Sequence, residues 1–144
     1  MSDEGRVNLT EQFEGLRLNA YPDPATRRAP WTIGYGHTGP EVVSGLEWSQ
    51  AQAEAALMKD LESAEDTVNS LVVSPLTQNQ FDSLVDFVFN EGAEHFERST
   101  LLKLLNAGKF EDADAEFARW IFANGRKLPG LVARREAEAE NFDE

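Results

Sequence analysis

Glycine and proline are concentrated in one stretch of the chain, which limits where long helices can form. Residues 17–46 hold eight of the sixteen glycines and prolines found in 144 residues. Both residue types interrupt helices, whereas the short aromatic and β-branched runs between them favour strands. The pattern predicts a small sheet with short strands at 18–21 and 31–34.

Outside this stretch the chain carries helix patterns with recognisable ends. Segment 3–15 has apolar residues at helical spacing, and Gly15 is expected to end that helix near Glu14. Two later segments begin with capping-box patterns, in which a hydroxyl residue is followed three positions later by glutamine. These pairs are Ser49 with Gln52, and Thr77 with Gln80.

The helix that begins near Thr77 is expected to be central. Its apolar residues cover most of its surface, because two phenylalanines lie off the main stripe. The stripe is Phe81, Leu84, Val85 and Val88, and the two others are Phe87 and Phe89. Further helices are predicted at 99–108 and 110–122, and Pro129 suits the first turn of a last helix.

The order of these elements predicts an α+β fold, mostly helical and with two lobes. We expect one domain over residues 1–144. It comprises a small sheet lobe at about 15–48, a connecting helix at about 50–70, and a helical lobe at about 71–144 packed with the N-terminal helix. The groove between the lobes is the expected site.

Charge and composition argue against several classes of protein. The chain has 13 Lys and Arg against 26 Asp and Glu, hence a formal net charge of −13. Such a surface repels phosphates, so we expect no nucleic-acid partner, and self-repulsion favours a monomer. Cysteine is absent, so disulfides and thiolate metal sites are impossible. The sequence predicts neither a membrane span, which needs roughly 20 apolar residues, nor a signal peptide.

Two carboxylates and a hydroxyl lie around the start of the glycine-rich stretch. Glu14 ends a helix among apolar neighbours, which would keep it protonated, and Asp23 lies in a turn that keeps it hydrated. Thr32 could hold a water beside Asp23. Hydrolysis of a glycosidic bond needs a proton donor and a second polar group across the sugar ring. Spacing alone leaves two simpler interpretations open, a solvated acid at a helix end and an ordinary turn residue.

A second pattern in the same stretch has less support. Gly34, Gly36 and Gly39 have the spacing of a dinucleotide-binding loop, and Asp60 lies roughly 20 residues further on. That loop must open a helix, which Pro40 prevents here. We therefore expect these glycines to allow tight turns or the approach of backbone to a ligand.

His37 is expected to have a structural role. One other histidine, His95, and the lack of cysteine argue against a metal site. Asp60 falls on the long helix where it could face His37. We predict an ion pair between them that stabilises the fold.

At these residues the chain resembles the phage-type lysozymes, glycoside hydrolase family 24, which are endolysins that cut cell-wall murein. Ordered identities over 24 positions carry the resemblance: Glu14-Gly15-Leu16-Arg17-Leu18, Tyr21, Asp23 and Thr32-Ile33-Gly34-Tyr35-Gly36-His37. A weaker resemblance continues through the segments FNEGAEHFERSTLLKLLN and LPGLVARREAE.

The resemblance implies a two-lobed lysozyme fold and hydrolysis of bacterial peptidoglycan at the β-1,4 bond between N-acetylmuramic acid and N-acetylglucosamine. Glu14 would be the general acid. Asp23 and Thr32 would position the attacking water, as an inverting enzyme requires. Neither a metal nor an organic cofactor is implied.

The resemblance also implies roles for other positions, with weaker support. Gly34, Tyr35 and Asn90 are expected to bind substrate, Asn90 through a sugar acetamido group. Arg134 and Arg135 resemble the family's paired arginines. Arg135 is expected to point inward and form an ion pair, whereas a plain surface role is expected for Arg134.

Two alternatives remain at this stage. One is a binding protein that keeps the lysozyme fold with weak or no catalysis, an interpretation that only the net charge favours. The other is a lytic transglycosylase, which uses a hydroxyl of the sugar in place of water and needs neither Asp23 nor Thr32. For a lysozyme we expect storage in the host cytoplasm until a separate membrane-permeabilising protein releases it to the wall.

Overall fold

A computed structural model of the chain describes residues 1–24 and 26–144. The chain divides into two compact units, Met1–Phe13 with Ser63–Glu144, and Glu14–Glu62. The predicted fold class is confirmed, because long and short helices accompany small antiparallel sheets. The predicted lobe boundaries lay at the ends of the long helix, whereas this division falls inside it.

The unit Glu14–Glu62 contains a three-stranded antiparallel sheet. Its strands are β1 (Arg17–Tyr21), β2 (Thr32–Gly34) and β3 (His37–Thr38), in that order across the sheet. β1 and β2 lie within a residue of the strands predicted from the Gly and Pro pattern. Short apolar runs between turn residues were therefore sufficient to locate them.

A long helix, α3 (Gln50–Leu71), follows the sheet. Its start is fixed by the predicted capping box, in which the Ser49 amide donates to Gln52 Oε1 at 2.8 Å and the Gln52 amide donates to Ser49 Oγ at 3.2 Å. The buried residues recur at helical spacing along one stripe. They are Ala53, Leu57, Leu61, Ala64 and Val68.

The N-terminal segment is helical from Asp3 to Glu14, as predicted, but it is not a regular α-helix. It runs as α1 (Asp3–Gly5), a wider π-helical stretch (Arg6–Glu11) and α2 (Gln12–Glu14). Gly15 then takes a φ of 70°, the left-handed conformation that commonly ends a helix. The π-helical stretch was not predicted, because apolar spacing over so few turns does not distinguish it from an α-helix.

The central helix of the larger unit is α4 (Gln78–Glu91). The predicted capping box of Thr77 and Gln80 is present, and every residue from 82 to 88 is buried. Short helices α5 (Ala93–Glu97), α6 (Thr100–Asn106) and α7 (Phe110–Glu116) follow, and α8 (Pro129–Asp143) packs against α4. The prediction of a buried α4 and of a last helix beginning at Pro129 is confirmed.

The helix predicted over 110–122 is wrong beyond its first part. α7 ends at Glu116, a short 3₁₀ turn covers Phe117–Arg119, and the chain then forms the hairpin β4 (Phe122–Ala123) and β5 (Arg126–Lys127). Asn124 and Gly125 form the turn with φ values of 52° and 75°. An Asn-Gly pair is the commonest solution for a two-residue hairpin loop, and this local preference ends the helix.

The surface role expected for Arg134 is also wrong. The side chain is buried, and it donates to Asp86 through Nε at 3.0 Å and Nη2 at 2.8 Å. Asp86 also accepts from the Thr10 hydroxyl at 2.9 Å. Because a buried carboxylate needs compensation, Arg134 is required inside the unit rather than at its surface.

Candidate active site

Glu14 lies at the exact end of the N-terminal helical segment, where Gly15 turns the chain into β1. Its side chain is half-buried, and its carboxylate lies against Gly36. Gly36 has a φ of 74°, and a β-carbon there would collide with Glu14 Oε1. Glycine is therefore needed at position 36 both for the turn and for the space that the Glu14 carboxylate occupies.

Asp23 and Thr32 belong to the same unit, in which the strands β1 and β2 pair with each other. Tyr21 of β1 lies opposite Thr32 of β2, and Asp23 follows Tyr21 by two residues. Asp23 begins a turn: its carbonyl accepts from the Arg27 amide at 2.7 Å, and its Oδ1 accepts from the Thr26 amide at 3.4 Å. Asp23 and Thr32 thus lie at one end of the β1–β2 pair, and both are half-buried.

The positions of these groups can be described by reference to β2. Thr32 begins this three-residue strand, and Gly36, which contacts Glu14, lies just beyond its other end. Glu14 and Thr32 therefore lie toward opposite ends of one short strand.

Gly34 and Tyr35, expected to bind substrate, are both buried. Gly34 has a φ of 67°, and a β-carbon there would press against the Trp48 ring and Ala53. Close packing of backbone on an aromatic ring accounts for this glycine. Neither residue offers an exposed side-chain surface, so any contact with sugar would have to come from backbone groups.

His37 lies between two carboxylates of its own unit. Its Nδ1 is 2.6 Å from Asp60 Oδ2, and its Nε2 is 2.7 Å from Glu41 Oε1. The ring also lies beside Trp48, with centroids 5.4 Å apart. Burial alone would lower the pKa of His37, but hydrogen bonds to Glu41 and Asp60 raise it above its ordinary value. The sequence predicted Asp60 as the partner of His37, and the structure adds Glu41.

Asn90 and Arg135 belong to the larger unit and contact each other. Arg135 Nη2 donates to Asn90 Oδ1 at 2.7 Å, and Nη1 donates to Glu91 Oε1 at 3.1 Å. Arg135 is buried and also donates to Glu138 Oε2 at 3.1 Å. Since Arg135 occupies the amide oxygen of Asn90, the amide nitrogen is the end left to donate to another group.

Comparison with known proteins gives the family. A model described as phage lysozyme matches residues 11–138, which covers the Glu14 region, the sheet and most of the larger unit. The chain belongs to the phage lysozyme family. It is accordingly a hydrolase of the lysozyme type, and the resemblance seen in the sequence is confirmed.

Individual phage lysozymes and a related domain are similar over almost the whole chain. An endolysin of Acyrthosiphon pisum secondary endosymbiont phage 1 is 45% identical over 147 residues, covering 99% of this chain and 97% of the relative. An endolysin of Bacillus phage B103 is 43% identical over 94% of this chain, which spans only 51% of that relative's length. The solved muramidase domain of SpmX from Asticaccaulis excentricus is 40% identical with a TM-score of 0.88, covering 98% and 95% of the two chains.

The structure adds a contact to the candidate site that sequence reasoning did not find. Gly36 was assigned only to tight turns or a ligand, yet its missing side chain makes room for the Glu14 carboxylate. The sequence match from Thr32 to His37 contained Gly34 and Gly36 but did not show which of them faces Glu14.

Among the helices of residues 1–24 and 26–144, none combines the length and apolarity needed to cross a bilayer.

Proposed function

We propose that this phage lysozyme hydrolyses the β-1,4 bond between N-acetylmuramic acid and N-acetylglucosamine in bacterial peptidoglycan, with inversion. Glu14 is the general acid, and Asp23 with Thr32 positions and activates the water. The observation that best supports this proposal is that the Glu14 carboxylate lies against Gly36, beyond one end of the strand that Thr32 begins.

Inversion is proposed because the acid and the water-positioning couple lie toward opposite ends of β2. Inverting glycosidases separate their two carboxyl groups by about 6.5–9.5 Å, because a water must fit beside the sugar, whereas retaining enzymes use about 5–5.5 Å. Glu14 contacts Gly36, beyond one end of β2, and Thr32 begins the strand at its other end. A separation in the wider range would leave room for a water beside Asp23 and for the sugar ring next to Glu14.

The chemical step then follows from this arrangement. Glu14 gives its proton to the leaving glycosidic oxygen while the bond to the anomeric carbon breaks. Asp23 accepts a proton from the water that attacks the opposite face of that carbon, and the Thr32 hydroxyl holds the same water by a hydrogen bond. The products are two shorter glycan chains, one with a new reducing end of inverted configuration.

Asn90 is proposed to assist binding. Its amide oxygen is held by Arg135, which leaves the amide hydrogens to donate to the carbonyl oxygen of a sugar acetamido group. Gly34 and Tyr35 would act through backbone groups only, because both are buried. The enzyme is proposed to reach the wall from the host cytoplasm through a separate membrane-permeabilising protein.

The decisive experiment compares wild type with Glu14→Gln on outer-membrane-stripped Gram-negative cells and on purified peptidoglycan. Loss of the general acid should lower the rate at least ~10²–10⁴-fold while the fold is kept. Glu47→Gln is the matched control, since Glu47 is an exposed acid of the same unit. Equal clearing by the Glu14 variant and wild type would remove Glu14 from this role.

Product analysis tests the remaining parts of the proposal. Hydrolysis yields free reducing ends, and an anhydro ring would instead identify a lytic transglycosylase. Following the anomers by NMR immediately after cleavage should show the α-configured end first. A β-configured first product would contradict inversion while leaving hydrolysis intact.

A further inference from the structure

Several stretches of this acidic chain contain no acid, and the longest of them is residues 117–135. Residues 117–135 carry five of the thirteen Lys and Arg and none of the twenty-six Asp and Glu. Three of the five cations have partners: Arg134 and Arg135 are buried among carboxylates, and Arg119 pairs with Glu116 at 2.6 Å. The positive charge that this stretch offers to solvent therefore comes from Arg126 and Lys127.

Both of these cations lie on the β4–β5 hairpin. Arg126 is paired with Ala123 and Lys127 with Phe122 across the two strands, and in the described part of the chain neither forms an ion pair. Phe122 has 59% of its surface exposed, which is unusual for a large apolar side chain next to charge. The hairpin thus presents an aromatic ring and two cations together.

The start of α8 continues this surface. Beside Lys127 lies an open depression of about 350 Å³, lined mainly by Pro129, Val132 and Ala133, with Glu136 as its one acid. Leu128, at 39% exposure, connects the depression to the hairpin. We name Phe122, Arg126, Lys127, Leu128 and the depression the hairpin surface.

We propose that the hairpin surface binds the peptide stems of the cell wall, with Arg126 and Lys127 on stem carboxylates and the apolar part on stem methyl groups. This inference rests on peptidoglycan being the substrate, as proposed above. The wall is rich in carboxylates and repels a chain of net charge −13. A surface with two exposed cations and a single acid is where such a protein can approach the wall most closely, because short-range charge pairs are screened less by salt than long-range repulsion.

A membrane surface fits the same residues less well. Stable attachment to a bilayer needs a broad apolar helix face or two separate anchoring signals. The hairpin surface offers one exposed aromatic ring and two cations, and each cation adds only about a factor of five to binding at an anionic lipid surface. Short peptides with a carboxylate and small apolar groups match its size better.

The test measures sedimentation with purified peptidoglycan sacculi at 150 mM salt, in a Glu14→Gln background that leaves the wall intact. Arg126→Glu combined with Lys127→Glu should weaken binding about 3–10-fold, the range expected for two exposed charge pairs. The matched control is Lys103→Glu with Lys109→Glu, which makes the same change in net charge at two other exposed positions. Equal weakening by both pairs, or by neither, would overturn the proposal.

Two further arms identify the ligand. On glycan strands whose peptides have been removed enzymatically, the hairpin variant and its parent should bind alike, and a persisting difference would overturn assignment to the stems. On phosphatidylglycerol vesicles, a loss of binding without any loss on sacculi would assign the surface to lipid and also overturn it. Thermal melting confirms that each variant is folded.

Activity on peptide-free glycan oligosaccharides separates this inference from the proposed function. With Glu14 intact, the hairpin variant should retain the kcat/KM of wild type on these oligosaccharides, since they carry no stems. Absence of cleavage by wild type would refute the muramidase proposal itself. Normal cleavage together with unchanged sacculus binding would refute only the role of the hairpin surface.

Discussion

Arg134 and Glu138 both contact the buried carboxylate of Asp86. Burial alone would raise the pKa of Asp86, but hydrogen bonds from Glu138 and Arg134 lower it below its ordinary value. Burial, and then the neighbouring Asp86 charge, raise the pKa of Glu138 well above its ordinary value, although Arg135 contacts both of its oxygens. Arg134 with Asp86 forms the ion pair, and Glu138 holds its proton more tightly than an ordinary glutamate.

This assignment predicts different costs for two substitutions. Arg134→Met removes the cation and leaves Asp86 buried and charged, which should lower the free energy of unfolding by about 3–5 kcal/mol. Glu138→Gln keeps the shape of the side chain, an oxygen that can accept from Arg135 and a donor toward Asp86, so it should cost less than Arg134→Met. Urea unfolding at pH 7 measures both. A loss from Glu138→Gln as large as that from Arg134→Met would show that the charge of Glu138 matters as much as that of Arg134.

These residues show which features of the structure the sequence alone could predict and which it could not. Glu14, Asp23 and Thr32 were predicted as a site because their segment resembles a known family, whereas their spacing alone left simpler interpretations open. Arg134 was misplaced because its partner Asp86 lies 48 positions away, and nothing in α8 alone shows which of two adjacent arginines a distant carboxylate requires. Gly36 was similarly hidden, because the neighbour that needs its space is a side chain on another element.

Among the elements, the turn between β2 and α3 depends on His37. The partners Glu41 and Asp60 raise the pKa of His37, so the folded protein binds this proton more tightly than the unfolded chain. The resulting stability is fully present below the ordinary histidine value of about 6.5, and it is lost as the pH rises through the raised folded value.

Replacing Asp60 by Asn should accordingly destabilise the protein at pH 5.5 and have little effect at pH 8.5. The loss at pH 5.5 should be about 1 kcal/mol or less, because the pair is partly exposed and screened by solvent. Asp66→Asn, an exposed acid on the same helix, is the control and should be nearly neutral at both values. Chemical unfolding at the two pH values would contradict the ion pair if the Asp60 variant lost nothing at pH 5.5.

Helices α7 and α8 meet with two acids facing each other. Burial, followed by a hydrogen bond and the charge of Asp143, raises the pKa of Asp114 to about 6. For an acid whose pKa is raised by folding, the change of stability with pH has the opposite sign to that of an ordinary ion-paired carboxylate. The stabilising proton is bound at low pH, and stability falls as the pH rises from about 4 to about 6.

Asp143→Asn should therefore stabilise the protein at pH 7 and have little effect at pH 3.5. The gain at pH 7 should stay below about 1 kcal/mol, since Asp114 is only partly buried, Asp143 is exposed and the repulsion is screened. Asp112→Asn, an exposed acid on α7, provides the control for a general change in net charge. Thermal melting across this pH range is the measurement, and an equal gain from both variants would refute the pairing.

Elements were predictable where their signals are local. Both capping boxes, the stop at Gly15 and the first two strands depend on residues within four positions of one another. The β4–β5 hairpin was missed because Ile121 and Phe122 continue the apolar spacing of α7, which outweighed the Asn-Gly signal that follows. The π-helical stretch Arg6–Glu11 was missed because no local sequence signal distinguishes it from an α-helix.

For the whole molecule, net charge is the property most directly available from the sequence. A net charge of −13 makes the enzyme and an anionic wall repel each other. The hairpin surface is a local exception, because it carries exposed cations. The division of the chain inside α3, by contrast, arises from contacts between segments far apart in sequence, which composition and periodicity do not contain.

Charge repulsion predicts that lysozyme activity on intact peptidoglycan rises with moderate salt. The screening length is about 30 Å at 10 mM and about 8 Å at 150 mM, so added salt removes long-range repulsion while leaving closer contacts largely in place. The gain should appear in KM rather than kcat, because repulsion acts on approach to the wall and not on the bond-breaking step. Short soluble glycan oligosaccharides, which carry far fewer carboxylates than the intact wall, are the control and should show a smaller change. A steady fall in rate on intact wall between 10 and 150 mM would mean that attraction at the hairpin surface, and not the overall charge, governs the encounter.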